Sequence, residues 1–90
     1  MANIRGLKKE INFQFADFID ECYECIMQYP KKRSKLEPII DKAVNEYDEL
    51  IIRVNEGKHN HEKSEYFNNL RADMKAKLLK LFEELSKEAK

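Results

Sequence analysis

Apolar residues recur along this chain at steps of three and four, in three separate stripes. The first is Leu7, Ile11, Phe15, Phe18, Cys22, Ile26 and Tyr29. The second is Leu36, Ile40, Ala43, Tyr47, Leu50 and Val54, and the third is Phe67, Leu70, Met74, Leu78, Leu81, Leu85 and Ala89. Such steps keep each set on one side of a 3.6-residue helix, and no segment alternates with the two-residue period of a strand. The chain therefore reads as all-α, with helices over about 5–28, 34–55 and 62–88.

The breaks between stripes set the topology. Pro30 stops the first helix, and Ser34 with Glu37 has capping-box spacing, so a second helix starts at Ser34 with Pro38 near its tolerant first turn. A start at Pro30, with Pro38 kinking the helix, is the alternative. Gly57 is placed to close the second helix in the left-handed conformation, and Asn60 or Ser64 to cap the third. Two short connections between long helices favour an antiparallel, up-down-up three-helix bundle in one 90-residue domain. The second stripe keeps heptad steps, while the first and third step 4-4-3 and 3-4-4, a period of about 3.67. That mixture predicts nearly straight helices and no long coiled-coil rod.

With 17 basic and 17 acidic residues the formal charge is zero, so nothing draws the whole chain to nucleic acid or anionic lipid. No apolar run has the roughly 18 residues of a membrane span. The start, Met1-Ala2-Asn3-Ile4-Arg5-Gly6, carries no signal-peptide pattern, which sets the expectation of a cytoplasmic protein.

The first helix carries a second, weaker stripe on its far side: Phe13, Ala16, Asp20, Tyr23 and Met27. At about 100° per residue it lies opposite Leu7, Ile11 and Phe18. A three-helix monomer needs one buried face per helix, so this face is read as an interface with a second copy, a homodimer, or with another protein. Asp20 then needs a basic partner across the contact, for which Lys9 or a lysine of the third helix is available. Ile52 is a further exposed candidate on the second helix.

Other motifs weaken under geometry. Cys22-Tyr23-Glu24-Cys25 has C-x-x-C spacing, yet a redox pair wants its first thiol at a helix N-terminus, and these lie deep within a helix. They read as small apolar core residues. His59 and His61, with Glu62, sit in a polar loop. In an antiparallel pair that loop returns near Leu7, roughly 20 Å from Cys22 at about 1.5 Å per residue, so the four groups cannot share a metal. The cluster Asp17, Asp20, Glu21 and Glu24 lacks a carbonyl-rich cation loop and reads as a solvated face. No metal or other cofactor is expected.

Lys31, Lys32, Arg33 and Lys35 concentrate positive charge between two acidic helices. With Arg71, Lys75, Lys77, Lys80 and Lys87 they could contact phosphate, but acidic residues interrupt them and no aromatic residue stands out for base stacking. Weak nucleic-acid or phosphate binding is the alternative function. There is no serine-histidine-acid set and no glycine-rich phosphate loop, so an enzyme is not expected.

The runs Leu7-Lys8-Lys9-Glu10-Ile11-Asn12, Tyr29-Pro30 and Leu81-Phe82-Glu83-Glu84-Leu85-Ser86-Lys87 resemble those of small, uncharacterised all-helical bacterial proteins of unknown function, over most of the chain. The resemblance implies a helical fold and a bacterial cytoplasmic setting, and assigns no site.

Overall fold

The first turn of the chain follows from one proline. Pro30 disfavours the α conformation for the residue before it, and Tyr29 leaves the helix at φ −131°, ψ 74°. Its N–H still donates to the Cys25 carbonyl (2.8 Å), which closes helix α1 (Ile4–Gln28). Pro30 then opens a short 3-10 helix, Pro30–Lys32, where its fixed φ suits the first position and its missing N–H costs nothing. Lys32 N–H donates to the Tyr29 carbonyl (2.9 Å), and the turn runs straight into helix α2 (Arg33–Gly57). Helix α3 spans Lys63–Ala89.

This computed structural model describes residues 4–57 and 63–89. It is an all-α, three-helix bundle in the expected up-down-up order, measuring 49 × 18 × 18 Å. Its long dimension is little more than one helix, since the 27 residues of α3 rise about 40 Å.

The helix ends differ in detail from the sequence expectation. Helical structure begins at Pro30, so Ser34 is the second residue of α2 rather than its cap. Pro38 lies inside α2, and the Ser34 carbonyl that loses its i+4 donor is on the exposed side. Gly57 closes α2, but its φ is not positive; its value lies in what packs against it. Ser64 is inside α3, and Asn60 lies outside the described residues.

The stripes form the core. Leu7, Ile11, Phe15, Phe18 and Cys22 of α1 meet Leu36, Ile40, Ala43, Leu50 and Val54 of α2 and Phe67, Leu70, Met74, Leu78, Leu81 and Leu85 of α3. Ile39 joins them, missed because it departs from the heptad steps of the second stripe. Ile26 and Tyr47 pack at the margin, while Tyr29 has left the helix and stays exposed.

Ion pairs flank the α2–α3 seam. Arg53–Asp73 (2.9 Å), Glu49–Lys77 (3.7 Å) and Lys42–Glu84 (2.7 Å) step by four and then seven residues on both helices, in opposite directions. The signs alternate, so a slip of one turn sets Arg53 against Lys77, or Glu49 against Asp73 and Lys42 against Lys80. The ladder therefore marks one antiparallel register. Across α1 and α3, Glu10 pairs with Arg71 (3.5 Å) and Phe18 meets Phe82 edge-on, with ring centroids 4.8 Å apart.

Candidate interaction surface

Helix α1 places its core residues toward α2 on one flank, through Phe15 and Tyr47, and toward α3 on the other, through Phe18 and Phe82. Its remaining face points away from both. There Phe13, Tyr23 and Met27 are 70%, 53% and 80% exposed, and Ala16 and Asp20 are exposed with them. The chain's own core uses none of the five. Their steps continue without a break toward the N-terminus through Lys9 to Gly6, both exposed. The face is thus a heptad seam, Gly6, Lys9, Phe13, Ala16, Asp20, Tyr23 and Met27, on a helix whose core stripe follows an eleven-residue period.

The five expected interface residues do not all have the same surroundings. Tyr23 and Met27, with Ile26, Ile40 and Asp41, line a groove of about 510 Å³ between the end of α1 and the start of α2. Ala16 borders a second one of about 300 Å³, with Ile19, Val44 and Tyr47. Phe13 and Asp20 line neither and stand on the outermost ridge. Sequence reasoning missed Val44, which is 41% exposed beside this ridge. Its place next to Ile40 and Tyr47 on the α2 wheel was the available signal. Ile52 is exposed, as expected, and so are Leu79 and Phe82 on α3.

The basic segment is not a loop. Lys31 and Lys32 lie in the 3-10 turn, and Arg33 and Lys35 in the first turn of α2. Contrary to expectation an aromatic ring does stand beside them: Tyr29 is 50% exposed, and Lys32 Nζ sits 5.2 Å from its centroid. Arg33 pairs with Glu37 (3.6 Å). Of the α3 cations in that reading, Lys77 and Arg71 are held by Glu49 and Glu10. Two of the five α3 cations in that reading are therefore engaged by carboxylates.

Cys22 is fully buried and Cys25 half-buried, and both are free thiols. Burial pushes the Cys22 thiol up to about 11, with Cys25 and Glu21 adding to the rise. This is opposite to the low pKa a reactive thiol needs. His59, His61 and Glu62 lie outside the described residues. Among the described residues, no three His, Cys, Asp or Glu side chains are grouped to hold a metal, and no helix is long and apolar enough to cross a membrane.

Compared with known proteins, the chain matches no family model, no curated protein and no solved structure.

Proposed function

We propose that this protein is a non-enzymatic interaction module that self-associates through the outer face of α1. The observation that carries the reading is the exposure of Phe13, Tyr23 and Met27 on one face, at 70%, 53% and 80%. Scattered single apolar residues are ordinary on a protein surface. Three large ones in one heptad seam, beside grooves that extend the apolar surface onto α2, have the composition of an interface, rich in Phe, Tyr and Met. A second copy is the simplest occupant, because a two-fold contact closes the surface with itself.

Light scattering tests this directly. Wild type should move from its 10.8 kDa chain mass toward twice that value as concentration rises from micromolar to about millimolar. Phe13→Glu with Met27→Glu should give a folded monomer. A wild type that stays monomeric would contradict self-association, and unfolding of the double variant would return these residues to the core.

The alternative, weak nucleic-acid or phosphate binding at Lys31, Lys32, Arg33 and Lys35, gains only exposed Tyr29 as a stacking surface. Retention on immobilised single-stranded DNA, reduced by salt and lost on Lys31/Lys32/Arg33→Ala, would favour it.

A further inference from the structure

We infer that two copies pair through α1 in antiparallel fashion, about a two-fold axis between Gln14 and Phe15, with Lys9 of each copy against Asp20 of the other. The inference rests on the self-association proposed above and specifies its register. It starts from an uneven charge distribution. The N-terminal part of α1 carries Arg5, Lys8 and Lys9, with Glu10 beside them turned to Arg71 of α3, and the C-terminal part carries Asp17, Asp20, Glu21 and Glu24. Parallel pairing sets like charges together, Asp20 facing Asp20. Antiparallel pairing sets the basic part of each helix on the acidic part of the other.

Seam geometry then selects one register. From Gly6 to Tyr23 the steps along the seam, 3-4-3-4-3, read the same from either end, so an antiparallel partner can place these six residues opposite one another, knobs into holes, with Met27 beyond the last layer. With the axis between Gln14 and Phe15, three kinds of layer arise, each occurring twice. Phe13 faces Ala16, a large side chain against a small one. Tyr23 faces Gly6, again large against small. Lys9 faces Asp20, opposite charges in the one polar layer. Displacing a partner by a heptad puts Asp20 against Ala16, or carries Lys9 onto Phe13, leaving the charge without its complement next to apolar surface. Neither Lys9 nor Asp20 enters an ion pair within its own chain among the described residues. Both are exposed on the same side of α1, since eleven residues are close to three turns. The layers from Gly6 to Tyr23 span about 25 Å of helix, and the pairing leaves the α2 and α3 contacts of each bundle undisturbed.

Charge reversal tests the register by sedimentation equilibrium, with circular dichroism to verify folding. Lys9→Glu puts two carboxylates in each polar layer, and Asp20→Lys puts two ammonium groups there. Each single variant should raise the dimer dissociation constant roughly ten- to thirty-fold, as two attractive contacts become repulsive. The combined Lys9→Glu/Asp20→Lys variant restores opposite charges in both layers and should return close to wild-type affinity. If wild type dimerises and Phe13→Glu/Met27→Glu abolishes it while the single reversals have no effect, the face is right and this register is wrong. The register is equally wrong if the singles weaken the dimer and the combination fails to recover. A monomeric wild type overturns the register and the self-association together.

Discussion

Gly57 approaches Tyr66 so closely that a β-carbon on it would stand 2.6 Å from the ring Cε1, and 2.8 Å from Phe67 Cε1. Neither ring is free to yield. Tyr66 donates its hydroxyl to the Arg53 carbonyl (2.8 Å), and Phe67 is buried at 2% exposure. Glycine is required here for space, not for backbone conformation. Gly57→Ala should therefore destabilise the bundle by about 1–3 kcal/mol, the usual cost of overpacking, read from denaturant midpoints. Gly57→Asn separates the two explanations. A left-handed helix end would accept asparagine, whereas a crowded one should suffer at least as much as from alanine.

Adjacent leucines on α3 should behave oppositely. Leu78 is 7% exposed and Leu79 63%. Leu78→Asp buries an unpaired carboxylate and should cost more than about 4 kcal/mol, a large part of the stability of a domain this size. Leu79→Asp should stay within about 0.5 kcal/mol of wild type. Equal melting temperatures for the two variants would contradict the α3 packing.

How far the sequence shows these things depends on how local their causes are. Helix number, order and the core stripes follow from period and from one proline, so they could be read directly. Gly57 reads as a helix end from the sequence, but the reason for a glycine there is not legible, because Tyr66 and Phe67 reach it only through the tertiary fold. The ion-pair ladder escaped for the same reason: nothing local relates Lys42 to Glu84. The outer α1 stripe was legible because it lies on one helix. Its extension across the groove to Val44 was not, since that depends on how α1 and α2 sit together.

The α2–α3 ladder predicts measurable coupling. A double-mutant cycle on Arg53→Ala and Asp73→Ala should return about 0.2–1 kcal/mol, shrinking as salt is raised. Coupling of zero at low salt would mean that this pair does not help to hold the register.

Alkaline pH should weaken the fold by a defined route. The folded Cys22 thiol sits at about 11 against an ordinary 9.0, so the unfolded chain loses this proton first. The stability from keeping the thiol neutral is present below pH 9.0 and lost as pH rises toward about 11. Lys42 acts in the same sense, because its hydrogen bond to Glu84 raises its pKa. Melting temperature should therefore fall across this window in wild type, and less steeply in Cys22→Ala. Native alkylation by iodoacetamide should reach Cys25 well before Cys22. An unchanged slope together with equal alkylation rates would contradict the burial of Cys22.

Whether the exposed face of α1 becomes covered on association can be read at Phe13 itself. Fluorophenylalanine labelling places a fluorine on each of the five phenylalanines, and Phe13→Leu assigns the signal of interest. Phe15, Phe18 and Phe67 are buried and serve as internal references. Between about 10 μM and about 1 mM, a range that spans modest affinities, the Phe13 resonance should shift and lose its solvent-isotope effect while the references stay still. A Phe13 signal that remains solvent-exposed and unmoved over the whole range would contradict a self-associating α1 face.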